Sequence, residues 1–300
     1  MNKLKLIFVM VLWGSLGVFT NAISLSALQL AFLRALIALP VLFIAMRRGK
    51  PAAPVRATHY IPYVLSGILL GFGWLTLFYG FKHTSVSSAV ILYNMCPVYV
   101  MIAAPLLLKE RIHKIQIFVI IASFAGLLII MGQRFSQQNA AMGMLLSAVS
   151  GLLYAAIVLI NRGIRHRLPN QTATFVQILV SVLTLLPFIL LSGNGLPLFQ
   201  LDARAVLYTL LLGVLHTGVA YTLFFSVYEH MKSVEIVTYS YLEPLFGILC
   251  SVLFLGESLT FAQIAGGILI LGSTFCGEWL QTRRANSRTE DANRAAGSGS

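Results

Sequence analysis

Charge is what this chain has least of. Only 10% of its 300 residues are charged, against about a quarter in ordinary globular proteins, so the shell that keeps a soluble surface wet is missing. Just 9 residues are Asp or Glu, which argues against a strongly polycationic solute. Cysteine is scarce too. Cys96, Cys250 and Cys276 fall inside apolar runs, lack the spacing of a metal site or disulfide framework, and read as small apolar residues. No His-Glu-x-x-His, Gly-x-Ser-x-Gly or clustered pair of carboxylates supplies the nucleophile, base or metal that an intramembrane enzyme needs. No Gly-x4-Gly-Lys-[Ser/Thr] phosphate loop is present, and the short loops offer little surface to a partner ATPase. Neither a ring of charge nor a repeated filter sequence marks a channel. No cofactor is expected.

What the chain has is apolar length. Hydrophobic residues make up 58% of it and its mean hydropathy is +0.86. Ten apolar runs recur, at 4–22, 27–46, 60–80, 87–108, 114–132, 140–160, 171–191, 205–228, 234–255 and 260–280. Each approaches or exceeds the roughly 20 residues that span a bilayer. Hydrocarbon cannot hydrogen-bond a backbone, so runs of this kind must be helices. The expected fold is an all-α integral membrane protein with ten transmembrane helices.

The net charge of +12 is a topology signal rather than an invitation to nucleic acid. With the amino terminus inside, seventeen Lys and Arg residues, from Lys3 and Lys5 through Arg47, Arg48, Lys109 and Arg111 to Arg294, fall on the cytoplasmic face. Only Lys82, Arg134 and Arg204 fall opposite. That asymmetry orients the chain and supports an even number of spans, with both termini cytoplasmic. The first span could be mistaken for a signal peptide, but its removal would reverse every later loop. The lipid bilayer is the expected surrounding. The polar tail, 283–300, is expected to be disordered and cytoplasmic, with Gly297-Ser298-Gly299-Ser300 reading as an added remnant.

One stretch occurs twice, at a constant offset of about 147 residues. Phe78-x4-His83 returns as Phe225-x4-His230, Gly71 as Gly218, Pro97 as Pro244, Glu110 as Glu257 and Gln116 as Gln263. Five spans per half is an odd number, so the second half starts from the opposite side and the repeat is inverted. The halves are expected at 1–134 and 135–282, joined by the polar stretch from Gln133 to Asn139. The basic loop Lys109 to Lys114 and its uncharged-to-acidic counterpart Gly256 to Thr260 agree with that inversion.

With these features the chain resembles the drug/metabolite transporter superfamily, and within it the EamA-like ten-helix exporters. The resemblance rests on Trp13-Gly14, Phe32-x-Arg34, Leu108-Lys109-Glu110 and Leu255-Gly256-Glu257, and on a Pro in spans four and nine with an acidic residue soon after each. It covers about residues 4–280. Such a resemblance implies a bacterial inner-membrane transporter, commonly exporting metabolites or amino acids without ATP. One departure matters. The second half carries Glu243-Pro244, whereas the first carries Cys96-Pro97, so a role needing a carboxylate in both halves lacks one of them.

Several residues stand out within the spans. Pro inside a helix removes the bond to the carbonyl four residues back and kinks the chain. For Pro97 and Pro244 the freed carbonyls are those of Tyr93 and Ser240. Recurrence in both halves predicts a pair of hinges lining a cavity; a static kink is the plainer alternative. Glu243 stands about nine residues into span nine, where a charge costs roughly 2.5–3.5 kcal/mol. It is expected to face inward, either exchanging protons between the two sides or making a structural hydrogen bond. Arg34 keeps its charge and grips carboxylate or phosphate with two parallel bonds; it holds an anionic group of the solute or pairs with Glu243.

The aromatic residues Trp74, Tyr79, Tyr93, Tyr221 and Tyr239, with Trp13, Tyr154 and Tyr241, are candidates for a cavity lining that stacks on a planar solute or embraces an ammonium group. A lipid-facing or interfacial place accounts equally well for any one of them. Asn94 and His216 are polar groups in apolar runs and are expected to find partners, as lining or as structure. Glu110 and Glu257 each open a helix and are expected to cap it. Gly126, Gly143, Gly151, Gly266 and Gly267 are expected where helices approach closely.

These features predict a secondary transporter, an exporter in the first instance, whose halves rock around a midplane cavity. Its expected partner is a small organic solute, such as an amino acid or similar zwitterion, with protons as the coupling ion. One proton entering across about 100 mV supplies roughly 2.3 kcal/mol, enough for a gradient of roughly fiftyfold. A passive facilitator or exchanger, or a membrane subunit of a larger complex, is the alternative. A monomer or homodimer is expected.

Overall fold

The computed structural model describes residues 2–49, 57–108, 114–132, 138–164, 168–192, 201–228, 231, 236, 239–277 and 279–280. The junction at 133–137, most of the basic loop containing Glu110, and the tail at 283–300 lie outside the described residues. Among those described, helices are joined by short turns and no strand occurs. In chain order they are α1 (Asn2–Asn21), α2 (Ala27–Arg48), α3 (Ile61–His83), α4 (Val86–Tyr93), α5 (Cys96–Leu108) and α6 (Lys114–Gly132). These are followed by α7 (Gln138–Gly163), α8 (Asn170–Leu191), α9 (Ala203–Gly213), α10 (Ala220–Tyr228), α11 (Leu242–Leu255) and α12 (Phe261–Gly267). Eight described helical segments are long and apolar enough to cross a bilayer, and two shorter apolar ones, Leu242–Leu255 and Phe261–Gly277, stand at spans nine and ten.

Helix starts follow local chemistry. Ser26 and Gln29 close a capping box on α2, and Thr260 and Gln263 do the same on α12. The Asp202 carboxylate accepts the Ala205 N–H at 2.7 Å to begin α9. Each satisfies backbone donors that a helix start leaves open.

The helices pack in matched pairs. α1 lies against α10 and α11, while α7 lies against α3 and α4. α2 packs on α8, α4 on α11, and α6 on α12. Exchanging spans one to five with six to ten maps these contacts onto one another, which is the arrangement of two related five-helix sets. Glycine makes the closest approaches possible. A Cβ on Gly126 would stand 2.7 Å from the Gly266 carbonyl oxygen, and one on Gly266 would stand 2.7 Å from that of Gly126. Here α6 and α12 touch backbone to backbone.

Three features differ from the sequence expectations. First, the kinks expected at Pro97 and Pro244 are full breaks. α4 ends at Tyr93, a turn occupies Asn94 and Met95, and α5 restarts at Cys96. In the second half Tyr241 forms the turn that precedes α11. Both prolines then sit in the first turn of a new helix, where the missing N–H costs nothing. Second, spans eight and ten each contain a π-helical turn, at Val214–Val219 and Ile268–Gly272. Third, Glu257 caps a helix, but not its own. The positive-φ residue Gly256 (φ 66°) ends α11 with the Glu257 N–H donating to the Ser251 carbonyl at 3.2 Å, a Schellman-like stop. The turn sends the carboxylate across to α4. There it accepts the N–H groups of Val86 at 2.6 Å and Ser87 at 3.1 Å, and the Ser87 hydroxyl at 2.7 Å.

The break at Asn94 is held from outside. A Cβ on Gly151 would lie 2.5 Å from the Tyr93 carbonyl oxygen, the group that Pro97 leaves without a helical donor. Gly151→Leu is therefore expected to destabilise the protein by about 1–3 kcal/mol, the usual cost of overpacking against atoms that cannot yield. A thermal melt in detergent checks this; an unchanged midpoint would mean that α7 can shift away freely.

Candidate functional site

The centre of the bundle is organised around one cation. Arg34 comes from the middle of α2 and is 2% exposed. Its Nε donates to Thr217 Oγ1 at 2.6 Å. The guanidinium lies over the Trp74 ring, 4.3 Å from its centroid, and 5.5 Å from that of Phe78. Its Nη1 is buried and has no hydrogen-bond partner. Leaving a buried donor unsatisfied costs about 1–3 kcal/mol, more for a charged group. This placement is not an economical way to stabilise a fold.

Glu243 reaches the same region from the first turn of α11, and its charge couples to that of Arg34. The ion pair considered from the sequence is not made: no hydrogen bond joins the two, and Nη1 stays open. The Tyr93 and Tyr221 hydroxyls also lie within electrostatic reach of the guanidinium. Tyr93, Tyr221 and Glu243 are deep in the bundle, yet each keeps some surface that water can touch.

The aromatic residues divide. The Trp74 and Tyr221 rings, equivalent across the repeat, meet at 6.5 Å. Trp13 lies 5.1 Å from Tyr221, and Tyr93 lies 5.8 Å from Tyr154. Tyr79 instead stacks on His83 at 3.8 Å near the end of α3. Tyr239 packs against the separate apolar cluster that includes Leu6, Val9 and Met10 of α1 and Val227 and Ile236. Neither joins the cluster at Arg34. Asn94 is half-buried at the break and its side chain donates to the Val90 carbonyl in the last turn of α4 at 2.8 Å. Pro97 and Pro244 begin the two helices that carry the breaks onward.

His216 serves the π-turn. Its Nδ1 is 3.1 Å from the Leu211 carbonyl oxygen and its Nε2 is 3.0 Å from Ser15 Oγ. Its own carbonyl accepts the Trp13 indole N–H at 2.9 Å. Sequence reasoning passed over Thr217, which holds Arg34, and Phe78, which shares in covering it. The available signal was slight: two adjacent polar residues, His216 and Thr217, between Gly213 and Gly218 in an apolar run.

A second polar cluster closes one face of the bundle, the face at which α1 ends and α4 begins. Besides the Glu257 contacts, Ser87 Oγ lies 2.6 Å from Ser251 Oγ. The Gln263 side-chain amide donates to Ser85 Oγ and Ser88 Oγ, at 2.8 Å each. Every one of these bonds joins α4 to spans nine and ten. Hydrogen bonds between the two sets of helices thereby tie this face together.

Comparison with known proteins places this geometry in context. A model described as the EamA-like transporter family matches residues 3–132 and, a second time, residues 141–276. The chain is 30% identical over 272 residues to the uncharacterized transporter YxxF of Bacillus subtilis (strain 168), covering 89% of this chain and 86% of that one. It is 24% identical over 250 residues to a protein of Salmonella typhimurium named a probable amino-acid metabolite efflux pump, covering 80% and 81%. One protein of known crystal structure shares the fold with a TM-score of 0.65 at 19% identity, over 94% of this chain and 98% of that one.

Proposed function

The chain belongs to the EamA-like transporter family, and from that premise we propose that it exports a small zwitterionic metabolite by alternating access, with Arg34 as the anchor for the solute's carboxylate. It is a multi-pass membrane protein and a transporter. The observation that carries the finer reading is the buried Nη1 of Arg34, which has no hydrogen-bond partner; we read it, with the Glu243 carboxylate and the rings of Trp74 and Tyr221, as one binding cavity. A carboxylate gripped by Arg34 would complete that donor set. Glu243 then answers the ammonium group, and the aromatic rings favour it further.

Direction and coupling follow from the same groups. The basic loops orient the start of α1 to the cytoplasm, so the face sealed by Glu257 is the outer one and the bundle waits for solute from inside. Glu243 is the group that can carry a proton inward as solute leaves. The breaks at Pro97 and Pro244 divide spans four and nine at mid-membrane, where the halves of each span can move separately. The Salmonella relative's printed name, which concerns amino-acid metabolites, agrees with this reading.

The test is flux of labelled amino acids in proteoliposomes, with and without an imposed pH gradient. The natural chain is expected to respond to the gradient, and Glu243→Gln is expected to abolish that response while leaving the protein folded. Unchanged pH dependence in the variant removes Glu243 as the carrier. A natural chain indifferent to the gradient makes the protein a passive facilitator.

A further inference from the structure

We propose that Thr217 is a specificity-determining residue of this cavity: the π-turn in span eight presents its hydroxyl so that the Arg34 guanidinium is aimed at a carboxylate. The inference rests on the reading of Arg34 as the solute's anchor.

The geometry makes the direction of the bond unambiguous. A threonine hydroxyl has one proton and two lone pairs. The Thr217 proton goes to the Leu212 carbonyl, five residues back, at 2.8 Å. Toward Arg34 the oxygen therefore offers lone pairs only, and it accepts the Nε–H at 2.6 Å. In a regular helix a threonine hydroxyl bonds the carbonyl three or four residues back. The extra residue of the π-turn between Val214 and Val219 shifts that partner to Leu212 and turns Thr217 toward α2. Turns of this kind are frequent at functional sites.

Close packing holds the arrangement. A Cβ on Gly213 would collide with the Ile37 side chain and come within 3.3 Å of the Arg34 carbonyl oxygen. One on Gly218 would stand 2.7 Å from Val41 Cβ. α2 thus rests on the backbone at both edges of the π-turn. His216, the neighbour of Thr217, ties the same turn to α1 through Ser15 and Trp13. With Nε occupied and one face of the guanidinium laid on Trp74, the plane of the group is set, and the buried Nη1 has no partner. A guanidinium free to swing could instead meet solvent or Glu243 and lose its preference for the solute. Thr217 does not touch the solute; it acts through Arg34.

The experiment is a calorimetric titration of the purified full-length protein with benzoate, and with benzamide as its neutral isostere. In the natural chain benzoate is expected to bind about tenfold or more tighter, the value of one charge-assisted hydrogen bond. Thr217→Val keeps the shape and removes the acceptor; the preference is expected to fall to about threefold or less, with benzamide affinity unchanged. Thr217→Ser keeps the acceptor and is expected to restore the preference. If Thr217→Val does not fold, Thr217→Ala serves in its place. Arg34→Met separates the two levels. Loss of preference in Arg34→Met with full preference in the folded Thr217 variants overturns this inference and leaves the anchor standing. No benzoate preference in the natural chain overturns the anchor, and this inference with it. An equal loss of both ligands in Thr217→Val makes the residue structural and also overturns the inference.

Discussion

Arg34→Met yields a protein that melts no lower than the natural chain and no longer distinguishes a carboxylate from its neutral isostere. The two halves of that result pull in opposite directions, and that is what makes it informative. Arg34 is buried with an open Nη1. Its hydrogen bond to Thr217 and its stacking on Trp74 offset only part of the cost of taking a guanidinium out of water. Replacing buried charges by apolar residues of similar volume is often neutral or stabilising. Met keeps the stem's volume and can still pack against the Trp74 ring. Binding should move the other way. A charge-assisted bond to a carboxylate is worth about 1.5–3 kcal/mol, which is about tenfold to a hundredfold in affinity. Thermal melting and calorimetric titration on the same preparation check both halves. A large drop in melting temperature, with equal loss of charged and neutral ligands, would make Arg34 a structural residue and sink the anchor.

Glu257→Ala is expected to open the face that the natural protein keeps shut. The carboxylate accepts the Val86 and Ser87 backbone donors at the start of α4, and it also takes the Ser87 hydroxyl. Its loss removes three bonds between the two sets of helices, each worth about 1.5–3 kcal/mol before water enters the vacated site. A net loss of about 3 kcal/mol would shift the balance between closed and open by about a hundredfold. Cys96, buried at the break, is the reporter, with Cys250 and Cys276 replaced by Ser. A membrane-impermeant thiol reagent applied to this face should label it about ten times faster or more in the variant, and the melting temperature should fall by several degrees. Glu257→Gln, which keeps one amide oxygen as acceptor, should lie between. Equal labelling rates and an unchanged melt would mean that Gln263 and the serines close this face without Glu257.

How much of this was legible beforehand depends on the kind of information each feature carries. The ten spans are properties of local hydropathy, and Pro97 and Pro244 lie at the breaks of their own spans, although α2 and α8 run unbroken through Pro40 and Pro187. The pairing of Gly126 with Gly266 was legible as a close approach, though not as a particular partner. The facing of the helices was not. In a membrane bundle the lipid side and the buried side are both apolar, so no polar stripe marks which side of α3 or α8 looks inward. That is why Tyr79 and Tyr239 looked as eligible as Trp74 and Tyr221, and why Thr217 passed unnoticed in an apolar run.

The amino-acid order alone determined that this chain is a ten-span helical bundle with related halves, and it named Arg34 and Glu243 as a cation and a carboxylate set within its spans. Only the tertiary structure decided that Arg34 and Glu243 lie within electrostatic reach without bonding, that Glu257 crosses to cap α4, and that a π-turn brings Thr217 to the guanidinium. The reason is range. Hydropathy and proline act over a few neighbouring residues, whereas those groups stand between 170 and 209 positions apart, and their meeting depends on how whole helices rotate against each other.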